Sequence, residues 1–96
     1  MSPSPTPDDK LPEIKALWDF NDPTASERRF LELATRASAS GAAEYEIELL
    51  TQAARAQGLQ RRFDDAGATL DGAVALLRPG MDRARVRCLL ERGRVF

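Results

Sequence analysis

The chain has 96 residues, with 14 Lys/Arg against 15 Asp/Glu for a net charge of −1, one cysteine and no histidine. That length allows one domain at most, near the small end of what folds alone. The missing histidine removes the commonest general base and metal ligand, and a lone Cys88 excludes an intrachain disulfide.

No apolar run approaches the roughly 20 residues needed to span a bilayer. The N-terminus has no apolar stretch of the signal-peptide kind, and a single cysteine suits a reducing compartment, so a cytoplasmic location is expected. Charge is unevenly spread: residues 1–50 carry five Lys/Arg and ten Asp/Glu, residues 51–96 nine and five, leaving halves of −5 and +4. Such polarity favours head-to-tail contact between copies, or an acidic partner for the basic half.

Residues 1–12 hold four of the six prolines among Ser, Thr and Asp, which predicts a disordered or polyproline-like tail. Leu11, Ile14, Leu17, Trp18 and Phe20 then form a short apolar segment, expected to make one or two helical turns and fold back over the first long helix. Residues 1–21 are thereby set apart from a helical domain over 22–96.

The first long helix has a marked start. Asp22 is a capping residue, Pro23 suits the first helical position, and Thr24 with Glu27 offers an alternative capping box. Phe30, Leu33, Ala34 and Ala37 recur at helical spacing, and Gly41 supplies the stop. A second helix is predicted over about 42–59. Glu44 to Leu49 alternates as a strand would, but it runs directly into Leu50-Thr51-Gln52-Ala53-Ala54 and reads as helix. A third is predicted over about 62–77, where Phe63, Ala66, Gly67, Leu70, Ala73, Val74 and Leu77 share one arc of about 120°. Pro79-Gly80 ends it.

The fourth helix, from about Asp82, differs in kind. Val86, Leu89, Leu90, Gly93 and Phe96 lie on one side, and Ala84, Cys88 and Val95 nearly opposite. Arg83, Arg87 and Arg94 separate these faces on one flank, Arg85 and Arg92 on the other. Two apolar faces split by charged stripes predict a helix sandwiched between layers. Gly93 costs such a helix about 1 kcal/mol relative to alanine, so it is expected to mark close approach by a neighbouring backbone.

Leu50, Ala53, Ala54 and Gln57, a turn at Arg61-Arg62, then Phe63, Ala66, Leu70 and Ala73 with Pro79 near the end, resemble a tetratricopeptide repeat, the 34-residue helix–turn–helix unit. The stretch from Ala54 to Ala66 is especially similar to bacterial members. Gln57 stands where the family has an aromatic, and Arg61 where it has the turn glycine. Leu89, Gly93 and Phe96 are similar to the first-helix signature of a following repeat, and Pro23, Ser26, Phe30 and Leu33 to the second helix of a preceding one. The resemblance therefore covers residues 22–96 as half a repeat, a full repeat at about 47–80 and another half, as an N-terminal portion ending mid-repeat would. It implies an all-α fold: about four antiparallel helices stacked as a short right-handed solenoid that binds proteins or peptides without chemistry of its own.

The residues themselves give catalysis little support. Ser26, Ser38 and Ser40 lack a histidine to activate them, and no Gly-rich phosphate loop occurs. Glu44/Glu48 and Asp64/Asp65 read as solvated helix faces, and Cys88 as a small core residue without a redox role. No cofactor or metal is expected. The arginines are split between two flanks without stacking aromatics, which disfavours nucleic acid. The carboxylate clamp of some co-chaperone repeats needs asparagines and lysines, and this chain has only Asn21, Lys10 and Lys15. Three functions remain open: an adaptor for a protein or peptide, a homodimer or domain swap through the last helix, and a remnant of a longer array. The expected interface is Val86, Leu89, Leu90, Gly93 and Phe96, rimmed by Arg83, Arg87 and Arg94.

Overall fold

The computed structural model describes residues 14–95, so the proline-rich tail, Leu11 and Phe96 lie outside the described residues. After a 3-10 turn at Ile14–Leu17 come four helices: α1 (Pro23–Ser40), α2 (Ala43–Leu59), α3 (Phe63–Ala75) and α4 (Asp82–Val95). No strand occurs among the described residues, and the fold is all-α. Successive helices pack against one another, and α2 is central, touching α1, α3 and α4.

The helix boundaries follow from local chemistry. The Asp22 carboxylate accepts the Ala25 N–H at 3.0 Å, and Pro23 occupies the first turn. Glu27 is thereby free of any capping duty. Gly41 ends α1 at φ 78°, where its N–H donates to Ser38 and that of Ala42 to Ala37. The turn into α3 uses the same geometry without a glycine. Arg61 sits at φ 60°, its N–H donating to the Gly58 carbonyl and that of Arg62 to the Gln57 carbonyl, both at 2.9 Å. This is a Schellman ending in which an L side chain bears a left-handed conformation that costs about 1–2 kcal/mol.

α3 stops at Ala75, two residues before the expected Leu77. Pro79 disfavours helical backbone at the residue before it, and the last turn tightens through Leu76 N–H to Ala73 and Leu77 N–H to Val74. Leu76 and Leu77 lie past the helix end and, like Met81, pack against the cluster of Ile47, Ala73, Ala84 and Cys88.

The core divides between helix pairs. Phe30, Ala34 and Ala37 of α1 meet Leu49 and Ala53 of α2. Ala54 faces Ala66 and Leu70, where small side chains let α2 and α3 approach closely. Ile47, Ala73, Ala84 and Cys88 join α2, α3 and α4. The predicted arc of α3 is buried on one margin only: Ala66, Leu70 and Ala73 are enclosed, whereas Phe63 and Val74 on the other margin are exposed.

The apolar segment before α1 folds back as expected, but over two helices. The Trp18 ring meets Phe30 edge-on at 5.0 Å, and its N–H donates to Gln52 Oε1 of α2 at 2.8 Å. Arg55 lies 5.6 Å from the ring centre. Asp19 and Ser26 exchange two hydrogen bonds, N–H to Oγ at 2.8 Å and Oγ to C=O at 3.0 Å. The segment thus packs Ile14, Leu17 and Trp18 against the core that α1 and α2 share.

One polar network crosses the stack. Glu27 Oε2 accepts from Gln57 Nε2 at 3.0 Å, and Oε1 accepts from Gln60 Nε2 at 2.9 Å and from Arg62 at 2.6 Å. Gln57 Oε1 in turn accepts from Thr69 of α3 at 2.7 Å. Burial alone would raise the Glu27 carboxyl. The hydrogen bonds from Gln60, Gln57 and Arg62, with the charge of Arg62, outweigh it and hold the carboxyl below its ordinary value of 4.5.

Two predictions follow from these contacts. Arg61→Gly relieves the left-handed strain and should stabilise the protein by about 1 kcal/mol in urea denaturation. A depressed carboxyl contributes stability that is complete above its unfolded value and is lost as pH falls through the folded one. Glu27→Gln should therefore cost about 1–3 kcal/mol at pH 7, and its stability should fall less steeply than the parent's on acidification below 4.5.

Candidate functional site

α4 presents two unlike faces, fixed by where small residues fall. Ala84 and Cys88, with Glu91 one turn on, point inward, at 7%, 2% and 0% exposure. Each stands 34 positions after Leu50, Ala54 or Gln57 of α2. Leu89 and Gly93, on the stripe expected to form the interface, face away from α2 and α3. Alanine and cysteine let α4 settle closely onto α2 and α3, which leucines at those places would prevent.

The outward face carries Val86, Leu89 and Leu90, which are 54%, 65% and 56% exposed. Gly93 is exposed among them, and a Cβ added there would meet nothing within 4 Å. Its expected close neighbour is thus absent among the described residues, and of the two apolar faces only one is packed. Phe96, assigned to the same stripe, lies outside the described residues.

The arginines divide by role. Arg83 and Arg87 form one wall of a cleft of about 350 Å³ with Ala84, opposite Glu44, Tyr45 and Glu48 of α2. The same two border a shallow depression with Asp82, Val86 and Leu90, so cleft and outward face are continuous. Burial, and then the charge of Glu48, pushes the Tyr45 hydroxyl above its ordinary value of 10.0. Arg92 bonds Asp71 of α3 at 2.8 Å, and Arg94 Nε lies 3.4 Å from Glu91. Arg83, Arg85 and Arg87 form no ion pair among the described residues.

No family model, curated protein or solved structure matches this chain. What can act here is read from the side chains alone. Among the described residues no group of three or more His, Cys, Asp or Glu is placed to hold a metal ion, and no helix is long and apolar enough to cross a membrane. Cys88 is enclosed, and burial raises its thiol above 9.0 despite the lowering charges of Arg92 and Arg85. That is the setting of an unreactive core thiol.

Sequence reasoning missed Glu91. Its carboxylate is wholly buried with neither oxygen hydrogen-bonded among the described residues. The signal was present in the i, i+4, i+7 spacing of Ala84, Cys88 and Glu91, but a glutamate between Leu90 and Arg92 reads as a surface residue. A buried carboxylate without hydrogen bonds costs stability. Glu91→Met, similar in volume and apolar, should raise the unfolding free energy by about 1–3 kcal/mol in urea denaturation.

Proposed function

We propose that this chain is a short tetratricopeptide-like helical stack that works as a protein-interaction module, without catalytic activity of its own. The observation that carries this reading is the outward face of α4: three large apolar side chains, each more than half exposed, on one stripe beside a cleft. Contiguous exposed apolar surface of this kind marks interaction sites.

Three features support the repeat-like part. Helices pack in chain order, with α2 also touching the helix two further on, as helix pairs in a solenoid do. The inward residues of α4 stand 34 positions after their counterparts in α2, the length of one such repeat. Ala54 against Ala66 and Leu70 provides the close helix–helix contact within one unit.

The test combines solution mass with peptide binding. Light scattering should give a monomer near 10.6 kDa across a concentration series. A displayed random-peptide library should yield a saturable ligand that slows amide exchange in α2 or α4. A concentration-stable dimer that Leu89→Asp converts to monomer would make self-association the function instead. With no dimer and no saturable ligand, the interaction reading fails.

A further inference from the structure

We propose that the outward face of α4 is the docking site for an acidic amphipathic helix of a partner protein, with Gly93 the point of closest approach. This inference rests on the interaction reading above and names the partner's chemistry.

The geometry of the face selects a helix. At 100° per residue, Leu89, Gly93, Val86 and Leu90 occupy about 100° of the α4 wheel, with Gly93 and Val86 at the centre. A stripe of that width, read at i, i+3, i+4 and i+7, is what one helix offers another. Glycine in a helix interior is unfavourable by about 1 kcal/mol relative to alanine, and none of the described residues requires it, because a Cβ at Gly93 would meet nothing among them within 4 Å. A missing side chain at the middle of an apolar stripe lets a second backbone come close.

Charge selects an acidic occupant. α4 carries five arginines against Asp82 and Glu91, and Glu91 is enclosed. Arg83, Arg87 and Arg94 border the stripe on one flank, Arg85 and Arg92 on the other. Of these, Arg83, Arg85 and Arg87 have no ionic partner among the described residues. A helix with Asp or Glu on both sides of its apolar stripe would meet all three. A second copy of α4 would instead lay arginine against arginine, which disfavours self-pairing.

A basic amphipathic helix also suits an anionic membrane surface. Gly93 separates the two cases. Lipid chains fill in around any side chain and gain nothing from a glycine, whereas a packed helix does. Val86, Leu89 and Leu90 are moreover the only large apolar side chains on this face among the described residues, with no aromatic among them.

The test uses the full chain and two synthetic amphipathic peptides of about 15 residues, long enough to hold a helix. They share one leucine stripe and differ only in flanking glutamates or lysines. The glutamate peptide should bind saturably, shift the amide resonances of α4, and weaken at least about tenfold in high salt; the lysine peptide should not bind. Gly93→Ala should raise the melting temperature yet weaken the glutamate peptide by about tenfold or more. Joint replacement of Arg83 and Arg87 by glutamate should transfer preference to the lysine peptide.

Equal binding of both peptides, shifts confined to α1, or unchanged affinity in Gly93→Ala would overturn the proposal. Stronger binding to vesicles of phosphatidylcholine and phosphatidylserine than to the glutamate peptide, equal in parent and Gly93→Ala, would replace it with a membrane surface. Should a library-selected peptide protect α2 while the glutamate peptide fails to bind, this inference falls and the interaction reading stands. If neither binds, both fall.

Discussion

Glu27 is a carboxylate taken out of water, and the arrangement of three helices follows from the donors it requires. It starts from α1, takes one hydrogen bond from within α2 and two from the turn that leads into α3. A charge so placed is tolerable only when its oxygens are satisfied together. Gln57, Gln60 and Arg62 must therefore stand in one relation to α1, and Thr69 extends that relation by fixing the other end of the Gln57 amide. Apolar contacts between these helices involve many alanines, which allow sliding at little cost. The network supplies the register that alanine does not.

The two ends of the stack are finished differently. At the α1 end, Trp18 and the Asp19–Ser26 hydrogen bonds close the first helix with a segment too short to be a helix of its own. At the α4 end, the inner side is closed by Ala84 and Cys88 and the outer side carries Val86, Leu89 and Leu90 into solvent. An amphipathic element with its second apolar side uncovered retains surface that association can bury. Among the described residues, three of the eight exposed large apolar side chains thus stand on this one helix, next to the cleft that Arg83 and Arg87 share with Glu44 and Glu48.

The helices were legible in the sequence because their boundaries rest on local chemistry. Asp22-Pro23, Gly41 and Pro79-Gly80 act through adjacent backbone, so pattern and outcome agree to within a few residues. The orientation of α4 was not legible, because it carries two apolar faces and periodicity alone cannot say which one packs. Close packing on α2 and α3 takes Ala84 and Cys88, the face with the smaller side chains, and leaves Leu89 outside. Gln57 and Glu91 illustrate the same limit. Both are polar residues whose type reads as surface, and both are buried among helices packed together. Arg61 was noted as a departure from glycine, but that it holds a left-handed conformation is visible only in the backbone.

Cys88 gives this architecture a property of its own. The thiolate is the reactive form of cysteine, and here the thiol is enclosed where α4 meets α2 and α3, with its proton held more tightly than usual. A thiol reagent can reach it only when α4 lifts away. Being the single cysteine in the chain, it reports that event with no competing signal. Its labelling rate under native conditions measures the free energy of detaching the last helix, separately from that of unfolding the whole. An occupant seated on the outer face would slow that rate wherever docking also holds α4 against its neighbours.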